Sequence, residues 1–474
     1  FKGMFIYGSM NMIQKSISIL LIPLYLNTLS TQEYGILEII IALSAFFSHL
    51  FMLQMDGGFQ RFFYENKRPE KIKLYFSSHL YFIGFVNLLG AIVFYFFYDF
   101  IIYNIFSGRL IPKIIFALLG LNLFSRNITT LLLVALRFNN KKYWFAFSVI
   151  TDTVITTVTA IILLLFYKMG IEGIYIAQLC GSVITNFIML LVMRNDLVGN
   201  FDFTIIKPSV KYSILLVPGV VIGWSLSHYS RIFMSTSGIS LQDIAVYGLA
   251  FKLSLLIIFG INALKLVWQP ASINLIGKKG SKEFYSRIFD YYVSVLILIG
   301  MIIAVLSKSI INIIFPLNYS YAASIAPALI ACTILNCSTI ITSMGITITK
   351  KTLYTSLVGS IAAATNILIM FYYIDEYGMI SIVLAYAASS FFTALFTYII
   401  SQKLLFIPYK LSTQFSLIIG TIIIAIYPYI LNSFNYLFIP IIFLLIVLIL
   451  SLWTLGTKEL KIINNEIRDR IKYG

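Results

Sequence analysis

The sequence predicts an all-α polytopic membrane protein with fourteen transmembrane helices, and three observations carry that expectation. Of its 474 residues, 60% are hydrophobic and only 11% charged, with a mean hydropathy of +0.94. A soluble domain carries about 25% charged residues, so a soluble core cannot hide this much apolar surface. Apolar runs long enough to cross a hydrocarbon layer about 30 Å thick recur along the whole chain. Lysine and arginine concentrate in alternate connecting segments, as the positive-inside rule requires.

The runs lie at 4–28, 36–58, 75–98, 113–136, 144–167, 171–193, 213–233, 244–268, 288–314, 322–346, 353–374, 378–401, 413–431 and 437–456. Barrel strands would be shorter and half polar, so each run reads as a helix. Lys2, the segments 61–73, 137–142, 194–211 and 278–287, Lys350, Lys351, Lys403, Lys410 and the tail after 457 hold 25 of the 34 Lys and Arg. The opposite ends hold five: Arg109, Lys113, Lys168, Arg231 and Lys308. Both termini are therefore expected in the cytoplasm. The net charge of +16 is a topology signal facing anionic lipid and not a nucleic-acid footprint.

Several function classes are excluded. The longest external loop, 99–112, leaves no room for the catalytic groups of a membrane glycosyltransferase or polymerase, so no enzyme is expected. "GKKGSK" at 277–282 lacks phosphate-loop spacing. His49, His79 and His228 fall in different helices and suit no metal, so no cofactor is expected. Cys180, Cys332 and Cys337 lie in apolar runs as small core residues. The first run is too long for a cleavable signal peptide and lacks a small-residue cleavage site. The chain opens without methionine, so a few residues are expected to precede Phe1. In the tail, Leu460, Ile463, Ile467 and Ile471 recur at helical spacing, which predicts an amphipathic surface helix.

The chain resembles itself at an offset of roughly 210 residues. "LSTQEYG" (29–35) matches "ISLQDIAVYG" (239–248), "NKKYW" (140–144) matches "TKKTLY" (349–354), and "MGIEGIYIAQ" (169–178) matches "YGMISIVLAYA" (377–387). Three matches in register predict a duplicated six-helix unit. An even number of helices gives both copies one orientation, related by a pseudo-two-fold axis along the membrane normal. The predicted organisation is an N-lobe over 1–200, a cytoplasmic linker at 201–212, a C-lobe over 213–402, two further helices over 403–456 and the tail 457–474. Pro23 and Pro218 sit in the first helix of each lobe, where they should bend it.

Polar residues form stripes: Asn11, Lys15 and Ser18; Asn122, Arg126 and Thr129; Ser148, Asp152, Thr156 and Thr159; Trp224, His228 and Arg231; Asn262, Lys265 and Gln269. Such faces should point into the bundle. Neutral members suffice as interhelical hydrogen bonds. The cations within helices are Lys15, Arg126, Lys252 and Lys265, and Arg126 is about 16 Å from the nearer end of its run, too far to snorkel. Asp152 can pair with Arg126, and Glu38 with Lys252, while Lys15 has no acid at its depth. The surplus predicts a water-filled, anion-binding cavity. Glu38, Asp56 and Asp152 are the candidate ion-coupling acids.

Fourteen runs, the duplicated unit, "PLYLNTLSTQEYGILEII" (23–40), "GGFQRFFYE" (57–65), "WSLSHYSRIFM" (224–234), "VYGLAFKL" (246–253) and "VWQPAS" (267–272) resemble the Wzx-type O-antigen flippases of the multidrug/oligosaccharidyl-lipid/polysaccharide superfamily. The resemblance implies a V-shaped pair of six-helix lobes in a bacterial inner membrane. It implies an undecaprenyl-diphosphate-linked oligosaccharide as cargo, moved to the outer leaflet by alternating access. Cavity cations of that family map onto Lys15, Arg61, Arg126, Arg231 and Lys252, and Lys265 and His228 join them as substrate-binding candidates. Membrane lipids, a polysaccharide polymerase and a chain-length regulator are the implied partners. The alternatives within the superfamily are a lipid II-type flippase and a drug/cation antiporter. The first usually has more arginine in the first two helices, and the second predicts acidic cavity residues.

Overall fold

The computed structural model describes residues 2–65, 68–109, 111–278 and 280–433, and all its regular structure is helical. In chain order the helices are α1 (Lys2–Leu20), α2 (Ile22–Thr28), α3 (Thr31–Met52), α4 (Met55–Phe62), α5 (Pro69–Phe96), α6 (Tyr98–Asn104), α7 (Lys113–Phe138), α8 (Lys142–Ile161), α9 (Gly170–Val192), α10 (Phe203–Ser227), α11 (Tyr229–Thr236), α12 (Leu241–Asn274), α13 (Ser281–Ile314), α14 (Ala322–Thr342), α15 (Met344–Ile348), α16 (Leu353–Tyr377), α17 (Met379–Leu404) and α18 (Leu411–Ser433). Twelve spans among the described residues are long and apolar enough to cross a membrane. The chain is a multi-pass membrane protein. The expected count was fourteen. The first run is helical but divided at Leu21, and α1 is not among the twelve. The run 437–456 and the amphipathic tail lie outside the described residues.

Helices overshoot their apolar runs wherever a local start signal lies upstream. α5 begins at Pro69 and not at 75, with proline in its first turn. α10 begins at Phe203 and not at 213, because the Asp202 carboxylate accepts the Thr204 amide at 2.8 Å. The Thr204 hydroxyl and then its amide hold the Asp202 carboxyl below the usual range. Further predicted helices are interrupted, 322–346 at Ser343 among them. Between α3 and α4, Leu53 and Gln54 both adopt left-handed backbone (φ 50° and 55°), an uncommon conformation for residues with a Cβ. α10 runs through Pro218 and breaks ten residues later at His228.

The internal repeat has a physical content. "STQE" and "SLQD" are both helix N-caps. The Ser30 hydroxyl accepts the Glu33 amide at 3.2 Å while Glu33 accepts the Ser30 amide at 2.8 Å. The Ser240 hydroxyl accepts the Asp243 amide at 3.1 Å and donates to the Asp243 carboxylate at 2.7 Å. "NKK" and "TKK" are helix C-termini of one type, with Asn140 and Lys350 both at φ 57°. The amides that follow, at Lys141 and Lys351, reach back to the carbonyls of Leu136 and Ile346 at 2.9 and 3.2 Å.

The chain divides into two compact units between Ala245 and Val246, within α12. In the first, α7 packs on α5 and α9, α8 on α9 and α1, and α10 on α4. Its core gathers Met55, Phe59, Tyr75, Phe76, Leu131, Ala135 and Met189, all at most 1% exposed. In the second, α14 packs on α13, α17 and α18, and α16 on α17. Its core runs through Phe289, Leu296, Ile297, Met301, Ile330 and Ile334.

Glycine sets the closest approach in the second unit. A Cβ on Gly345 would overlap the Ser401 carbonyl, which is backbone and cannot yield. Gly345→Ala is therefore expected to cost about 1–3 kcal/mol through overpacking. Gly223→Ala, in a helix interior where nothing lies within 4 Å, should be neutral or stabilising by up to about 1 kcal/mol. Unfolding of the purified proteins in detergent checks both signs.

Candidate functional site

The deepest polar cluster of the first unit centres on Asp152 of α8, which is 3% exposed. Arg126, near the midpoint of α7, donates from Nη1 to Asp152 Oδ2 at 2.8 Å. Its Nη2 reaches the Gln178 carbonyl of α9 at 3.4 Å. Gln14 of α1 donates from Nε2 to the same Asp152 oxygen at 3.3 Å. Side chains of α1 and α7 thus meet on one α8 carboxylate, and α9 holds the Arg126 guanidinium from behind. The Arg126 side chain keeps 31% of its surface open while that of Asp152 keeps 5%, so the pair is a partly open cation on a closed anion. The other Asp152 oxygen, Oδ1, is buried with no hydrogen-bond partner among the described residues, as are the hydroxyls of Ser148, Thr156 and Thr157 on the same helix. Gly181 lets α9 approach here, because a Cβ would overlap the Thr156 hydroxyl and meet the Asp152 carbonyl at 3.0 Å.

A second buried pair lies between α3 and α11. Arg231 Nε is 3.6 Å from Glu38 Oε2, with side chains 4% and 2% exposed. The break at His228 starts a new helix whose first turn carries Arg231. Its Nη1 donates to the Ser227 carbonyl, and to the Ser230 hydroxyl at 3.3 Å. A third pair, in the second unit, joins the buried Asp290 of α13 to Lys410 at 3.0 Å, with the Thr413 hydroxyl on its other oxygen. The three buried carboxylates among the described residues each face a cation, as an anion in a low-dielectric interior requires.

The remaining candidates are dispersed. Lys15 is exposed on α1, one residue past Gln14, and Ser18 beside it is exposed as well. Arg61 is exposed at the end of α4, 3.2 Å from Glu65 and over the Phe62 ring. Asp56 is half-buried in the first turn of α4, and His228 is half-buried at the α10–α11 break. Lys252 is half-buried in α12. The side chain of Lys265 lies outside the described residues. No group of three or more His, Cys, Asp or Glu able to hold a metal occurs among the described residues.

Gln14 and Asp290 were missed by the stripe analysis. Each had a usable signal. Gln14 is as deep in its helix as Asp152 is in its own, and Asp290 is an acid inside an apolar run.

The polysaccharide biosynthesis protein family matches residues 1–276, more than half of the chain. The chain belongs to that family. Solved structures share the fold of this chain. The lipid II flippase MurJ in an inward closed conformation aligns at TM-score 0.66 and 16% identity over 91% of this chain and 98% of its own. An inward-facing multidrug resistance MATE family transporter of the MOP superfamily aligns at 0.60 and 13%, over 82% and 95%. The eukaryotic MATE transporter AtDTX14 aligns at 0.54 and 12%, over 85% and 95%. No curated protein matches the chain.

Proposed function

We propose that this protein is a flippase for undecaprenyl-diphosphate-linked oligosaccharide units of an O-antigen or similar surface polysaccharide. It moves them from the cytoplasmic to the outer leaflet of a bacterial inner membrane by alternating access, and it is not an enzyme. In this reading fourteen helices form two six-helix lobes with two further helices, and both termini are cytoplasmic. The observation that carries it is Arg126 at the middle of α7, held in place by Asp152 and still partly open, in a chain of the polysaccharide biosynthesis family. A guanidinium presents a fork of five N–H donors that matches phosphate oxygens, and the bonds of Arg126 to Asp152 and to the Gln178 carbonyl use only two of them.

The diphosphate would meet Arg126 and the exposed Lys15, and Arg61, Arg231, Lys252, Lys265 and His228 are the further substrate-binding candidates. Asp152, Glu38 and Asp56 are the acids whose charge state would couple ion movement to the cycle. An inside-negative potential favours outward movement of an anion by about 2.3 kcal/mol per charge per 100 mV, which sets the direction without a nucleotide-binding loop.

The experiment depletes the protein from cells and identifies the lipid-linked glycan on the inner leaflet by mass spectrometry. Accumulation of an undecaprenyl-diphosphate oligosaccharide is expected. Accumulation of lipid II alone, or of no lipid-linked glycan, overturns the proposal.

A further inference from the structure

A small, mostly apolar pocket in the second unit, with one cation and a few polar side chains in its lining, lies apart from every cluster above. It sits where α13 ends and α14 begins, against the far part of α18, at the helix ends opposite the basic segment 278–287. Its volume is about 130 Å³, whereas a single water needs only about 10–15 Å³ of such space. It therefore has room for a headgroup.

Its chemistry is one-sided in charge. Lys308 and Asn312 come from the last turns of α13, Ser320 from the turn just before α14 and Ser324 from the first turn of α14. All four can donate hydrogen bonds, and no carboxylate is among the described lining residues. The acceptors are backbone. Pro327 and Pro428 both line the pocket and lie inside α14 and α18. Proline has no amide hydrogen, so the carbonyl of Ala323, a lining residue four positions before Pro327, loses its helical donor. The floor is closed by Tyr427, 3% exposed, and by Ser307, whose hydroxyl is already committed to the Ala304 carbonyl at 2.7 Å. Along the chain between and beside the lining residues Asn312 and Ser320, Ile313, Leu317 and Tyr321 are 82%, 78% and 47% exposed. Large apolar side chains left this open beside a cation mark the boundary between hydrocarbon and water, the depth of lipid phosphates.

We propose that this pocket binds a phosphate ester carrying hydroxyl groups, with the phosphate on Lys308, Asn312 and the two serines and a hydroxyl donating to the Ala323 carbonyl that Pro327 releases. Two membrane sources have that chemistry: phosphatidylglycerol, and the sugar diphosphate of a lipid-linked glycan. Phosphatidylcholine, which has no headgroup hydroxyl and no net charge, does not.

The test places the full-length protein in nanodiscs of phosphatidylcholine doped with phosphatidylglycerol and reads retained lipid by native mass spectrometry. Wild type should prefer phosphatidylglycerol by about tenfold, the scale of one charge-assisted contact. Lys308→Gln, at an exposed position that folding does not need, should lose the preference. Ser324→Ala should weaken it about threefold, consistent with one neutral hydrogen bond. Lys168→Gln, an exposed lysine outside the pocket, should keep it. Unchanged retention in Lys308→Gln overturns the site, and so does an equal loss in Lys168→Gln, which would mean general surface charge. Undecaprenyl diphosphate bearing a disaccharide is then added as competitor. Displacement of the retained lipid assigns the site to the glycan carrier, and retention assigns it to phosphatidylglycerol.

Discussion

Cells carrying Arg126→Ala should export no surface glycan, and the purified variant should be less stable by several kcal/mol. The stability effect follows from what is left behind. Asp152 stays buried with one oxygen already lacking a partner, and Gln14 alone cannot neutralise it. Breaking a buried pair from one side typically costs about 3–5 kcal/mol, and the open edge of Arg126 places this pair toward the lower figure. A loss of export could then reflect misfolding alone. The double variant Arg126→Ala/Asp152→Ala separates the two effects. It removes both charges, so most of the lost stability should return, while the phosphate-binding cation remains absent. Export should stay abolished in the double variant at wild-type expression, measured as surface glycan per cell. Wild-type export from the double variant would reduce the pair to a structural element.

Depth was the part of this site that the sequence made readable. Arg126 and Asp152 lie too far along their runs to reach water, and two opposite charges at one depth have few partners other than each other. Lateral position was less readable. A stripe at spacings of three and four picks Asn11, Lys15 and Ser18 on α1. Gln14 is turned away from Lys15 by about 100°, and the packing of α1 on α8 decides that it reaches Asp152. Asp290 escaped notice for a similar reason, because Lys410 and Thr413 lie some 120 residues away in sequence. The repeat was readable because its best-matched stretches are caps and chain reversals. Those geometries accept few residue types, whereas lipid-facing positions accept any apolar side chain. The interruptions at Leu53–Gln54 and His228 carried no such mark, since neither glycine nor proline signals them.

The pair between Glu38 and Arg231 should be the more demanding of the two for stability alone. One face of α3 presents Gly35, Glu38 and Ala42 in succession, and each meets the segment 224–241. Gly35 admits the Leu241 carbonyl so closely that a Cβ would overlap it. Ala42 offers its carbonyl to Trp224 Nε1 at 2.9 Å. Between them Glu38 faces Arg231, both at least 96% buried as side chains. Water cannot enter to solvate a charge left alone there, so Glu38→Ala and Arg231→Ala should each cost about 3–5 kcal/mol, with Arg231→Ala no milder than Arg126→Ala. Arg231→Met combined with Glu38→Leu keeps the volume and removes both charges. It should recover most of the loss, because well-packed apolar side chains replace buried ion pairs at little or no cost. Thermal unfolding of the three proteins in one detergent gives the comparison. Single variants that melt with wild type would mean that the Glu38 and Arg231 charges are neutralised by other groups, and the pair would lose its role in fixing α11 to α3.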